Sequence, residues 1–177
     1  ALSSAAGEAI VRSNRAVAAA MLLACATTGC SRPVKADTRF DVNKWLFGTI
    51  RGADRVTLYE GLPHQLFEGN VLEGEKRSKA TVALHGFSFY ARPLDLKDAD
   101  RPKLTDLLGA EESYAPLPDG AKACGGFHPD YCVEWATGED VYRCLVCFGC
   151  GEVKVFGPGA ELHSELVARD ALKRLLT

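Results

Sequence analysis

Between residues 131 and 156 the chain alternates in a pattern that a β-meander satisfies. Tyr131, Val133 and Trp135 alternate with Cys132, Glu134 and Ala136, and then Tyr142, Cys144, Val146 and Phe148 alternate with Arg143, Leu145 and Cys147. A period of two sends successive side chains to opposite faces of a strand. Gly138-Glu139 forms the two-residue loop, with glycine at the first central position as a type II′ turn requires. That loop fixes the register: Trp135 faces Tyr142 and Val133 faces Cys144 on one apolar side, and Glu134 faces Arg143 on the other as an opposite-charge pair. A slip by one residue would mix the two sides. A third strand at 152–156 continues the meander, Gly157-Pro158-Gly159 turns the chain, and 167–176 reads as a final amphipathic helix.

Upstream, Val56 to Tyr59 forms a short β-type run ended by Gly61 and Pro63, and runs at 80–84 and 87–92 flank His85-Gly86 as a second hairpin. A helix follows, with Asp98 placed to cap it, Pro102 in its first turn, Leu104, Leu107 and Leu108 as its stripe and Gly109 as its stop. The stretch 110–122, with Pro116, Pro118 and Gly120, reads as irregular surface chain. The expected fold is therefore α+β: an antiparallel sheet, made of a hairpin plus a three-stranded meander, with two packed helices. A chain of 177 residues buries roughly two thirds of its unfolded surface, so a metal or disulfide would be an addition to a core and not its substitute.

The N-terminal part has a different character. RSNRAVAAAMLLACATTGC, residues 12–30, sets two arginines before an apolar run at 16–26 and small residues before a cysteine, the three-part layout of a secretory signal. The run is too short to anchor stably across a bilayer as a helix. Its end resembles the lipobox of bacterial lipoproteins, in which the cysteine after the cut carries the lipid. Cys25 and Cys30 compete: Leu22 stands three residues before Cys25, whereas Cys30 has the longer apolar run and a glycine before it. Residues 1–30 are thus expected to be an export signal, 31–54 a linker with a short packed segment (Trp45, Leu46, Phe47, Ile50), and 55–177 one α+β domain. The expected location is the periplasm or cell envelope, with membrane contact only through the lipid. Mass spectrometry of the mature N-terminus would decide between the two cysteines.

Net charge is -2, no Lys/Arg run occurs, and the aromatic residues are scattered through apolar stretches. Nucleic acid is not an expected partner, since it selects for basic patches and interleaved stacking rings. No Gly-rich phosphate loop, nucleophile elbow or H-E-x-x-H occurs. No catalytic residue is assigned, and an enzyme would need His64, His128 or Asp130 to converge on an activated thiol. Partners are expected to be a protein or a small ligand.

Chemistry concentrates in five cysteines. The register puts Cys144 on the apolar face as a small buried thiol, and Cys147 on the opposite face. In an extended strand Cys147 and Cys150 would stand about 10 Å apart, too far for a shared ion, but Gly149 and Gly151 allow a turn that brings them together. CFGCG resembles the knuckle of zinc-ribbon proteins over those five residues alone. The segment CGGFHPD at 124–130 leads into the partner strand, with Asp130 opposite Cys147 and His128 near Gly149 and Cys150. Cys124, His128, Cys147 and Cys150 form a Cys3His set suited to tetrahedral zinc, with Cys132 and Asp130 as reserve ligands. In an oxidising compartment the same residues would instead give a disulfide clasp, Cys124 with Cys147 or Cys150. A thiol redox pair is the third reading, opposed by the absence of a helix N-terminus after Cys150. His64, between turn residues, reads as a surface turn, and His85 and His163 as solvated.

Taken together, YEGLPH at 59–64, CGGFHPDY at 124–131, and CFGC at 147–150 with the GPG after it resemble an uncharacterised group of small bacterial proteins, many of them exported. The similarity spans from about Val56 to the C-terminus. It implies no activity, cofactor or site residue.

Overall fold

The computed structural model describes residues 38–118 and 125–177. Over these residues the chain runs α1 (Thr38–Asn43), α2 (Trp45–Gly48), a 3-10 turn (Thr49–Gly52), β1 (Arg55–Glu60), α3 (Gly69–Ser78), β2 (Thr81–Leu84), β3 (Phe87–Tyr90), α4 (Arg101–Gly109) and β4 (Tyr114–Ala115). It continues through β5 (Tyr131–Thr137), β6 (Asp140–Cys147), β7 (Glu152–Gly157), β8 (Ala160–Leu166) and α5 (Arg169–Leu176). Six strands form one antiparallel sheet in the order β1-β5-β6-β7-β8-β4, and β2-β3 form a separate two-stranded hairpin. The class is α+β, as the sequence led us to expect.

The register of the central hairpin is the expected one: Trp135 pairs with Tyr142, Val133 with Cys144 and Glu134 with Arg143. Arg143 Nε donates to Glu134 Oε2 at 2.8 Å. Gly138 has φ +60 at the first loop position, the conformation that glycine adopts without a Cβ clash. One face of the sheet carries Val133, Trp135, Tyr142, Cys144, Val146, Val153 and Val155, covered by Leu46, Phe47 and Ile50 from the N-terminal segment, Leu104 and Leu108 of α4 and Leu172 of α5. The other face holds a smaller core of Phe89, Cys132 and Leu145, roofed by Val82, Leu84 and Phe87 of the hairpin together with Phe127.

Three expectations are corrected. The sheet is larger than a hairpin plus three strands, because β1 joins it beside β5 and β8 extends the meander. There are more helical segments than two, since α1 and α2 occupy the stretch expected as linker and packed segment, and α3 was not foreseen. Asp98 does not cap α4; Asp100 stands at that position, its carboxylate taken by Lys103 Nζ at 2.9 Å. Among the described residues no helix is long and apolar enough to cross a membrane. The export segment, Cys25 and Cys30 lie outside the described residues.

Candidate functional site

Three chain segments close on one another at the end of the sheet. The first is the exit of β1, where Gly61 N–H donates to the Asp130 carbonyl at 2.7 Å and Leu62 N–H to that of Ser88 at 3.3 Å. The second is 125–130, which Gly125 (φ +76) and Gly126 (φ +98) bend and which Asp130 ties to the sheet by an N–H bond to Val146 O at 2.7 Å. The third is the turn after β6. There the chain reverses, so that Cys150 N–H reaches Cys147 Sγ at 3.1 Å, and Gly151 takes φ +66 to complete the turn. The turn is clasped to the second segment twice: Asp130 Oδ2 accepts Phe148 N–H at 2.6 Å, and the Cys150 thiol donates to Gly126 O at 3.3 Å. Between them lies a cavity of about 550 Å³ whose wall includes Glu60, His64, His128, Asp130, Tyr131 and Cys147.

The two imidazoles face each other with ring centroids 4.5 Å apart. His64 Nδ1 accepts the Leu66 N–H at 3.1 Å. A nitrogen that accepts cannot carry the proton of a neutral ring, so the proton sits on Nε2. That Nε2 is buried and has no hydrogen-bond partner, the one such side-chain nitrogen or oxygen among the described residues. His128 has a backbone hydrogen bond to Leu62, which leaves its other ring nitrogen with a lone pair. Burial, reinforced by the neighbouring His64, lowers the pKa of His128 against the opposing pull of Asp130 and the Leu62 bond. The cavity wall thus holds two imidazoles in contact, one of them with an unpartnered buried nitrogen.

This lowering sets the sign of a pH dependence. Folded His128 takes up its proton at lower pH than the unfolded chain does, so below about pH 6.5 the unfolded state binds more protons and stability falls. His85 acts in the same direction, its pKa lowered by burial and then by Arg143. Chemical denaturation at pH 7.5 and pH 5.0 is expected to give lower stability at the acid end. His128→Gln should flatten that difference, and a slope unaltered by the substitution would contradict the assignment.

The cysteines separate by environment. Cys147 and Cys150, expected at the site, are at the turn and beside 126–130, both nearly buried. Cys132, the reserve ligand, is fully buried against Phe89 and Leu145, and burial pushes its thiol up to about 12. Cys144 is buried in the main core and its thiol is raised further by the same cause. Both stay protonated at neutral pH and are poor nucleophiles or ligands. Cys132, Cys144 and Cys147 are not in disulfides. Cys124 lies outside the described residues, and with it the proposed bridge and the fourth ligand. Among the described residues no group of three or more His, Cys, Asp or Glu side chains is gathered as a metal site.

His64 is the residue that the sequence undervalued. The signal available was Gly61: a glycine ending a strand marks a place where another backbone approaches closely, and the approaching backbone is that of the other histidine loop. His85 does sit exposed at its hairpin tip, though stacked on Phe156 at 3.8 Å, whereas His163 is half-buried and paired with Glu152 at 2.8 Å. Compared with family models, curated proteins and solved structures, the chain matches none of them.

Proposed function

We propose that the protein is a small-ligand binding module of the cell envelope. Its receptor site is the cavity between the exit of β1, the 125–130 segment and the 147–151 turn, and the cysteine turn is the clasp that holds one wall of it. The observation that carries this reading is the unpartnered Nε2–H of His64. A buried donor left without an acceptor costs about 1–3 kcal/mol, and a ligand oxygen placed there relieves that cost. A volume of about 550 Å³ suits a small molecule. No reaction is assigned to the site. Export, with lipid attached at Cys25 or Cys30, belongs to the same reading and would set the module at a membrane surface.

The test is an NMR titration of protein labelled at histidine ring nitrogens with acetate, phosphate, glucose and glycine betaine. At least one is expected to move the ring signals of both His64 and His128 saturably, and His64→Ala should abolish the response at His128. Ring signals that respond to pH but to none of these compounds would overturn the receptor reading.

The Cys150 N–H bond to Cys147 Sγ, together with the His128 ring bonded to a backbone carbonyl, favours a second reading. In it Cys124, His128, Cys147 and Cys150 hold zinc, His128 being oriented by its carbonyl as metal-bound histidines commonly are. Elemental analysis with thiol counting decides: one zinc per chain supports it, two missing thiols without metal support a disulfide clasp, and a full thiol count without metal excludes both.

A further inference from the structure

The charges and rings around the cavity restrict what can enter it. Three carboxylates, Glu60, Glu68 and Asp130, line it against one ammonium, that of Lys173. Glu68 Oε2 is occupied by the His64 N–H at 3.0 Å and Asp130 Oδ2 by the Phe148 N–H, whereas Glu60 stands exposed at the end of β1 and has no ion pair among the described residues. Tyr131 registers this negative field: its phenol pKa is raised by burial first and then by Glu60 and Asp130.

The aromatic lining already attracts cations. Lys173 Nζ sits over the Phe148 ring at 6.0 Å, and Lys79 Nζ lies over Tyr90 at 4.9 Å. Tyr131 meets Phe148 edge-on at 5.9 Å, so the two rings make a corner beside Glu60. Ring faces backed by a carboxylate are the usual surroundings of a bound organic ammonium group. His64, which lines the same cavity, carries its unpartnered Nε2–H just behind that lining, where a ligand oxygen could accept it.

Resting on the receptor reading, we infer that the ligand is a compact organic ammonium compound that also carries an acceptor oxygen. The cation faces Glu60 and the Tyr131–Phe148 corner, displacing the Lys173 side chain from the Phe148 ring, and the oxygen accepts from His64. Neither half suffices. A simple anion meets the carboxylates, and a simple cation leaves the His64 donor unmet.

Calorimetric titration of the full chain with glycine betaine, tetramethylammonium and acetate tests this. Glycine betaine, which has both halves, is expected to bind at least about tenfold more tightly than either of the others. Glu60→Gln, at an exposed position that should not disturb folding, is expected to weaken it about tenfold. Acetate binding as tightly as glycine betaine, with loss in His64→Ala, would leave the receptor reading standing and overturn the ammonium inference. Glycine betaine affinity unchanged by Glu60→Gln, or no binding of either ammonium compound, would overturn it too.

Discussion

Gly61→Ala is expected to destabilise the domain by at least about 3 kcal/mol, near the upper end for an overpacked site. A Cβ at this position would overlap the Pro129 carbonyl oxygen and lie 3.1 Å from both the Pro129 carbonyl carbon and the Asp130 oxygen. The obstacle is backbone, and it has no room to retreat. Asp130 is fixed on one side by its N–H bond to Val146 and on the other by the Gly61 N–H bond to its carbonyl. Relief requires parting the loop that holds His64 from the loop that holds His128. The melting temperature should therefore drop by about 10 °C for a domain of this size, and the His64 and His128 ring signals should move even where the protein remains folded. Gly74→Ala supplies the contrast: that glycine lies inside α3 with open space around it, and alanine there should stabilise by up to about 1 kcal/mol. A Gly61→Ala protein within 1 kcal/mol of wild type and with unmoved ring signals would show that the two loops do not depend on this close approach.

The parts of the fold legible in the sequence are those where one physical signal dominates. Alternation, a Gly-first loop and one opposite-charge pair all select the same register for β5 and β6, and that register is found. The same pair marks the second face as the charged one but does not reveal how much of that face is covered. Two residues along, Cys132 and Leu145 on that face are buried under the β2-β3 hairpin, because a four-residue hairpin covers only part of a seven-residue strand. Strand β8 was not foreseen because its inward row reads Leu162, Ser164, Leu166. Ser164 is fully buried, its hydroxyl donating to Ala115 O at 2.7 Å, so a hydrogen bond occupies a position where pattern reading looks for an apolar side chain. Helix α3 has one buried residue, Leu72, and so no stripe to detect. At the site, the turn at Cys147 and Cys150 was legible because glycines on both sides of Cys150, Gly149 and Gly151, allow the chain to reverse there. The role of His64 was not, because it depends on which backbone Gly61 meets, a contact between residues far apart in the chain.

Removing everything before Arg55 is expected to abolish cooperative folding, although the packed residues there are few. Leu46, Phe47 and Ile50 are each at most 1% exposed and fill the main core against α4 and the sheet. Phe47 stacks on Tyr114 with centroids 3.4 Å apart, and Trp135, in the middle of β5, donates from Nε1 to Thr49 Oγ1 at 2.9 Å. Full burial of an apolar side chain of this size contributes about 1.5–3 kcal/mol, so the three together contribute roughly 5–9 kcal/mol. A domain is typically stable by only about 5–15 kcal/mol. The truncated chain would in addition uncover Trp135 and leave its indole N–H without its acceptor. Circular dichroism during urea titration should then show a broad, non-cooperative change for the truncated chain and a single transition for the full one. A sharp transition in the truncated chain, within about 2 kcal/mol of the full protein, would mean that the sheet closes its core without α2, and that burial of these three side chains contributes far less than their area implies.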